Sequence, residues 1–492
     1  MLLLAVLAAF GACAGASFHF DDYAIFSDPV LTGADGWREL WRPLQTRPLT
    51  YFTFWLNYRL GGACPAGYHL VNLAAHAAAV LLLFGVLSRL IGRHPAWIAA
   101  MLFAVHPVQA EPVAYIFARS TLLTALLALA AWRDWTLGRP WRALAWFAAA
   151  LLAKEEAAAF PAFLWLAHAP LRGKPREIAA IAAMFALSLA AGLRLAWAAA
   201  AIAGSGAGAE AGIRPAEYFL AQGPVILGYF GRLVLPFGFT ADRQVAIPAA
   251  PWGLASWGLL LAAAAVAVWR FHRAPEARWL LGGLVLLAPT SSLFPAADLA
   301  ADRRMYLPLI AFSALAGMLL AGARPLVPAA AALLLAALAF GRTQVWMTEE
   351  RLWTEAVERA PAKVRPKVQL ARVAEPSLAE RLLKEARRLA PEDPLVASEL
   401  GRFYLEQGRP DLALGEFGRA LALAPNDPRA LSNRGAALLA LGQTEAAVAD
   451  FERALAADPC LFEALANLRR AGGPAVPPAR CRYTPQQESA WR

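Results

Sequence analysis

Charge is scarce in this chain. Only 17% of its 492 residues are charged, against 59% hydrophobic, where a soluble globular protein carries about a quarter charged residues. An ordinary soluble enzyme is therefore excluded for most of the length. Cysteine is scarcer still: the four present show no metal-binding spacing, which removes the common zinc-site patterns. Cys460 and Cys481 remain able to pair if the C-terminal part lies in an oxidising compartment. No glycine-rich phosphate loop and no nucleophile elbow occurs anywhere, so a cytosolic enzyme working on nucleotide-activated substrates is disfavoured.

What the chain has instead is apolar runs. They recur from the N-terminus to about residue 343, each long enough to enter a bilayer. The boundaries predict about eleven spans, at 2–17, 70–88, 96–110, 114–132, 141–153, 157–170, 178–199, 253–270, 279–294, 306–322 and 326–343. Residues 1–16 resemble a signal peptide but lack a basic start, and are read as an uncleaved first span. Residues 216–237 hold Pro224, Arg232 and Pro236 and are expected to lie along the membrane surface or dip into it.

The net charge of +10 invites a nucleic-acid reading, but the cations sit in the wrong places for one. Arg89 and Arg93, then Arg133, Arg139 and Arg142, then Arg172, Lys174 and Arg176, then Arg270, Arg273 and Arg278 form short clusters between apolar runs. That is the pattern of cytoplasmic loops. With an odd number of spans the C-terminal part is expected outside the cytoplasm. The acidic and mixed-charge groups Asp21, Asp22, Glu111, Glu155, Glu156, Asp298 and Asp302 then all fall on that outer side, the first of them in a long outer loop, 18–69. Ionisable groups gathered at span ends point to a shared polar cavity.

After residue 345 the composition turns polar and a period appears. Gly401 and Gly435, Gly408 and Gly442, Ala413 and Ala447, Phe417 and Phe451, Ala420 and Ala454, and Pro425 and Pro459 each differ by 34 positions. Small residues let two helices cross closely, an aromatic fills the seam, and proline ends each unit. This is similar to the tetratricopeptide repeat. The clearest units are 394–427 and 428–461, with a degenerate copy before them marked by Ala379, Ala386 and Pro391. The fold expected is all-α: a polytopic membrane helix bundle over 1–345, a tetratricopeptide-repeat solenoid over 346–470, and a tail over 471–492.

Several polar groups invite a chemical reading. Asp21 and Asp22 follow directly on the first apolar run. Two loop acids are commonly just solvated, but repulsion between them favours proton uptake by one, which suits a general base or a group that orients an acceptor hydroxyl. "HPVQAEPVAYIFARS" sets His106, Glu111 and Arg119 around a proline-broken bend. A histidine there is commonly a polar cap, whereas Arg119 enters an apolar helix and needs Glu111 or an anionic ligand as partner. "AKEEA" brings Lys154, Glu155 and Glu156 to another bend. "AADRRMYLP" gives Asp302, Arg303, Arg304 and Tyr306. Arginines on the outer side fit a bound phosphate, which guanidinium forks grip in bidentate fashion, and Arg47 is placed to join them. The donor these groups favour is a lipid-linked phosphate entering sideways from the bilayer.

Taken in order, these stretches resemble the transmembrane and tetratricopeptide-repeat (TMTC-type) protein O-mannosyltransferases, C-type (GT-C) glycosyltransferases. "FHFDDYAIFSDPVL" resembles the family's opening aspartate pair. "TRPLTYFTFWLNYRLGGACPAGYHLVNLAAHAAAVLLL" is similar to the segment that follows, with Arg47, Asn57, Tyr58, His69 and Asn72. "HPVQAEPVAYIFARSTLL", "KEEAAAFP" and "ADRRMYLPLIAF" resemble its later bends. Departures are Gln109, where the family has a second histidine, and Thr121, where an acid often follows the arginine. The resemblance implies an inverting transfer of a mannose-like sugar from a polyprenyl-phosphate carrier to protein hydroxyls outside the membrane. Asp21 or Asp22 would serve as base or acceptor orienter, with Glu111 supporting. Arg47, His106, Arg119, Lys154, Glu155, Asp302, Arg303, Arg304 and Tyr306 would bind the donor. No cofactor is required, although a divalent cation at the aspartate pair is left open. The partners expected are the lipid-linked sugar, a protein held by the repeats, and the bilayer, with no nucleic acid. Alanine-rich spans point to a bacterial inner membrane with the repeats in the periplasm. Alternative readings are a non-catalytic membrane-anchored repeat scaffold, and a GT-C enzyme that glycosylates a lipid or glycan.

Overall fold

The computed structural model describes residues 1–42, 45–168, 174–201, 213–291, 295–296 and 298–491, with the side chains of 199–201 excepted. Arg172 and the far ends of the spans expected at 157–170 and 279–294 lie outside the described residues. Among the described residues every regular element is helical. The chain forms two compact units, Met1–Tyr23 with Ala34–Leu352, and Ala24–Gly33 with Trp353–Arg492.

The first unit is a bundle of apolar helices. In chain order they are α1 (Leu2–Phe10), α2 (Pro48–Gly61), α3 (Pro65–Leu90), α4 (Arg93–Val105), α5 (Arg119–Thr136), α6 (Pro140–Ala153), α7 (Phe160–Ala167), α8 (Pro175–Ala201), α9 (Pro215–Val234), α10 (Ala250–Arg270), α11 (Pro275–Leu287), α12 (Tyr306–Leu320) and α13 (Leu326–Val345). All eleven expected spans fall on one of these. Among the described residues six stretches are long and apolar enough to cross a membrane, and a seventh is gained if the bent pair Leu2–Gly15 and Phe20–Ser27 counts as one span. The protein is a membrane protein by this measure. The other four expected spans fall on short helices. A helix such as α4, with 13 residues, rises only about 20 Å, less than the hydrocarbon core of about 30 Å. Proline ends α4. Pro107 starts a new turn at N1/N2 directly after α4, where a missing N–H costs nothing and the previous helix has to end. α9 carries Pro224 inside it and is not among the six, in line with the expectation of a surface segment.

The core of this unit lies where α3, α4, α5 and α12 meet, with α5 also packed on α6 and α11 on α12. Small residues permit that approach. A Cβ at Gly317 of α12 would come within 2.4 Å of the Pro95 carbonyl oxygen and 2.8 Å of Ala99 Cβ. Each bend that carries polar motifs therefore hangs from a tightly packed pair of helices.

The second unit holds the repeats. α14 (Glu349–Arg359) leads in, and α15 (Val364–Ala371) pairs with α16 (Pro376–Leu389), α17 (Pro394–Glu406) with α18 (Pro410–Leu423), and α19 (Pro428–Ala440) with α20 (Thr444–Ala457), before α21 (Phe462–Arg470). The starts of α17 and α19 follow from the sequence. Asp393 and Asp427 accept from the backbone N–H of Leu395 and of Arg429 and Ala430, and proline comes next, the preferred N-cap followed by the preferred N1 residue. The period has a steric cause as well. A Cβ at Gly401 would lie 2.8 Å from the Phe417 ring, and one at Gly435 2.6 Å from the Phe451 ring. Only glycine lets each aromatic seat against the facing helix. Cys460 and Cys481 are bonded, with Cα atoms 5.3 Å apart. The tail folds back, so that Phe462 meets Tyr483 and Trp491, and the Arg469 guanidinium stands 4.9 Å from the Trp491 ring centre.

Candidate active site

Five separated segments of the first unit, with α8, enclose a cavity of about 520 Å³. Asp21 comes from the turn after α1, Arg47 from the residue that starts α2, and Tyr115, Phe117 and Ser120 from the bend before α5. Lys154, Glu155 and Glu156 come from the bend between α6 and α7, Arg303 and Arg304 from the segment before α12, and Gly192 and Leu195 from α8. Four cations and three carboxylates thus share one hollow, of the size usual for small-molecule sites.

Most of the cations are already neutralised. Arg47 pairs with Glu155, its Nε donating to Oε2 at 3.0 Å. Burial works against the Glu155 charge, but the Arg47 guanidinium outweighs it and holds the carboxyl at about 2. Lys154 Nζ lies 2.7 Å from Glu156 Oε2 and donates to Thr121 Oγ1 at 2.8 Å, so the residue standing where an acid was expected still serves this lysine. Arg303 is gripped by Glu111, which takes its backbone N–H at 3.0 Å and its Nη1 at 2.5 Å, and by Asp298 at 3.0 Å. Arg304 differs. Among the described residues it donates to Tyr218 Oη at 3.1 Å, to the Leu299 carbonyl at 3.1 Å and to the Asp298 carbonyl, all neutral acceptors. A guanidinium held rigidly by neutral groups at a cavity wall keeps its full charge for an incoming anion.

The two aspartates part company. Asp21 lines the cavity and accepts from Tyr115 Oη at 2.7 Å. Asp22 is fully buried, and its oxygens accept the backbone N–H of His19 at 2.9 Å and of Phe117 at 2.8 Å. It ties the turn to the bend before α5.

Strain gathers at the same place. Among the described residues, the non-glycine residues with positive φ are Phe20 at 45° and Arg47 at 54°. One immediately precedes Asp21 and the other lines the cavity. Left-handed backbone costs about 1–3 kcal/mol and is kept where the surroundings over-determine it, commonly at functional sites.

Of the residues singled out in the sequence, Asp21, Arg47, Lys154, Glu155, Arg303 and Arg304 line the cavity; Asp22, Glu111, His106, Arg119, Asp302 and Tyr306 do not. His106 is the polar cap of the plainer reading: its Nδ1 accepts from Val108 N–H at 3.2 Å. Among the described residues Arg119 makes no ion pair with Glu111, which pairs with Arg303 instead. Arg119 is fully buried and donates to Asn72 Oδ1 at 2.8 Å, Asn57 Oδ1 at 2.6 Å and the Tyr68 carbonyl at 3.0 Å, with Phe54 beneath it at 4.6 Å. Two asparagine amides, Thr53 and a backbone oxygen satisfy the fork. Asp302 binds Arg243 at 2.8 Å behind the wall, and Tyr306 donates within the core to His76 Nδ1 at 2.7 Å or accepts from it, according to the ring tautomer. Tyr115 and Phe117 went unnoticed in the sequence. Their one signal was an aromatic pair inside a bend that proline had already broken.

Comparison with known proteins fits this picture in two places. A family model described as tetratricopeptide repeat matches residues 370–428 and 399–459. Among curated proteins, the chain is similar to a protein O-mannosyl-transferase of Caenorhabditis elegans, F38B6.6, at 38% identity over 139 residues, covering 24% of this chain and 20% of that protein. It is similar at 38% to mouse protein O-mannosyl-transferase TMTC3, covering 20% of this chain and 11% of the relative. Drosophila melanogaster Tmtc1 matches at 38% over 164 residues, 29% of this chain and 19% of the relative. The resemblance to TMTC-type proteins read from the motifs is therefore borne out, while each match spans a fifth or less of the relative's length. Among solved structures, the first tetratricopeptide domain of Spaghetti (RPAP3) bound to an HSP90 peptide aligns at 29% identity with a TM-score of 0.19, covering 20% of this chain and 77% of that one. A thermophilic tetratricopeptide protein of Thermus thermophilus aligns at 23% identity with a TM-score of 0.24, covering 30% and 91%. Overlaps that small carry no argument about this chain.

Proposed function

We propose that this protein is a membrane glycosyltransferase that moves a mannose-like sugar from a polyprenyl-phosphate carrier to hydroxyl groups of proteins. The observation that carries this reading is the meeting of Asp21 with Arg303 and Arg304, from distant parts of the chain, in one cavity. The similarity to named O-mannosyl-transferases supports it.

In this reading Asp21 takes the proton of the acceptor hydroxyl as its oxygen attacks the anomeric carbon. The bond from that carbon to the phosphate oxygen breaks, the electron pair leaves on the polyprenyl phosphate, and configuration inverts. Negative charge grows on the phosphate during the step, where Arg304 and Arg303 stabilise it. Tyr115 aims the carboxylate, Glu111 fixes Arg303, and the Arg47–Glu155 and Lys154–Glu156 pairs wall the donor pocket. Fixed cations do the work a metal would do, so the reaction as proposed needs none.

The proposed side is extracytoplasmic, with the repeats presenting the acceptor protein there. The basic loops between spans support it, and so does the Cys460–Cys481 bond, since such bonds persist in oxidising compartments. A bacterial inner membrane rests on the alanine-rich spans alone; the relatives named above are animal proteins.

The test supplies membranes with synthetic polyprenyl-phosphate sugars and a serine- and threonine-containing acceptor, comparing the wild type with Arg304→Gln. Transfer by the wild type, with the donor KM raised about tenfold or more in the variant, is the expected result. No transfer from any lipid-linked donor would refute the reading. Thiol labelling in intact cells checks the side: Cys460 and Cys481 should react only after reduction.

A further inference from the structure

We propose that Glu349 is a positioning residue for Asp21, coupling the base to the chain segment that enters the repeats. The inference rests on the reading of Asp21 given above. Asp21 lies in the tight turn Phe20–Tyr23, the first residue of which has left-handed backbone. Such a turn relaxes unless held. Glu349 holds it at both ends: Oε1 accepts the Phe20 backbone N–H at 3.3 Å, and Oε2 accepts the Tyr23 hydroxyl at 3.1 Å. One carboxylate thus brackets the two aspartates. Glu349 is also the first residue of α14, where a carboxylate is favoured by the helix dipole.

The neighbouring residues repeat the grip. The Trp346 carbonyl lies 2.7 Å from His19 Nε2, and the Met347 carbonyl accepts the Ser17 N–H at 3.1 Å. The Trp346 ring stacks on Tyr115, with centroids 5.7 Å apart and planes at 29°, and Tyr115 is the donor to Asp21. Residues 346–349 therefore reach the base by two routes, one through the turn that bears it and one through its hydrogen-bond donor. These residues join α13 to α14, and the chain runs on from α14 into the repeats. The base is fully aligned only when segment 346–349 is in place.

Two readouts on the full-length chain in detergent test this. Amide hydrogen exchange over 18–23 is expected to speed up about tenfold in Glu349→Ala. It should rise less in Glu349→Gln, which keeps a carbonyl acceptor for Phe20, and less in Tyr23→Phe, which loses one of the two bonds. Unchanged exchange in all three overturns the proposal, and this readout stands even if no donor is ever transferred. In the transfer assay, Glu349→Ala is expected to lower kcat by about ten- to a hundredfold, the range for a misplaced catalytic group, with the donor KM within about twofold and partial recovery in Glu349→Gln. An unchanged kcat, or a loss confined to donor KM, in a preparation where Asp21→Asn abolishes transfer, overturns the proposal while leaving the glycosyltransferase reading intact.

Discussion

Arg119 separates a structural arginine from a ligand-binding one, and its replacement gives the sharpest prediction about the bundle. Arg119→Met keeps most of the apolar volume and removes every donor. Three close acceptors are left: Asn72 Oδ1 at 2.8 Å, Asn57 Oδ1 at 2.6 Å and the Tyr68 carbonyl at 3.0 Å. A buried polar group stripped of its partner costs about 1–3 kcal/mol, so three cost about 3–6 kcal/mol once partial re-pairing of the two asparagines is allowed. Against a typical stability of about 5–15 kcal/mol that is a large loss. Tryptophan fluorescence of the purified chain in micelles should show the thermal midpoint falling by at least about 5 °C. Because Arg119 lies outside the cavity lining, the donor KM of whatever protein remains folded should not change. An unchanged midpoint together with a donor KM raised about tenfold would show that Arg119 binds the ligand, and the division of arginines drawn above would be wrong.

In the repeats, Gly435→Ala forces a Cβ to within 2.6 Å of the Phe451 ring and should destabilise that helix pair by about 1–3 kcal/mol, read as faster amide exchange in α19 and α20; no change would discredit the close-packing account. Glu399 in α17 is held below its ordinary value of 4.5: burial opposes its charge, and the hydrogen bonds and charges of Arg372 and Arg402 together outweigh burial. A lowered folded-state value contributes stability above the ordinary carboxylate range and loses it as pH falls through that range into the more acidic one. The difference in melting midpoint between wild type and Glu399→Gln, worth about 1 kcal/mol at pH 7, should therefore shrink below pH 4.5. A difference that stays constant or widens in acid would contradict the pairing.

The fold was legible wherever a residue's role is local. Gly401, Phe417 and their counterparts Gly435 and Phe451 announced the repeat because helix crossing demands that spacing. The apolar runs announced the bundle because lipid demands them. The length of α4 was overestimated at Pro107, since hydropathy does not register a chain break. The cavity-lining residues Asp21, Arg47, Lys154, Glu155, Arg303 and Arg304 stood out in the sequence because charge at a span end is costly and conspicuous. For Arg119 the sequence showed an expensive cation, while the neutral groups bonded to it, Asn57 and Asn72, are brought to it only by packing. Tyr115 and Glu349 carry no such signal, because their hydrogen-bond partners, Asp21 for the one and Phe20 and Tyr23 for the other, lie far away in the chain.

The most direct measurement is the rate of sugar transfer from a polyprenyl-phosphate donor by Asp21→Asn. The substitution keeps the size and a Tyr115 hydrogen bond but removes the proton acceptor. The rate is predicted to fall by about 10²- to 10⁴-fold with the donor KM nearly unchanged. Transfer at the wild-type rate would contradict the assignment of Asp21 and, with it, the reading of the cavity as an active site.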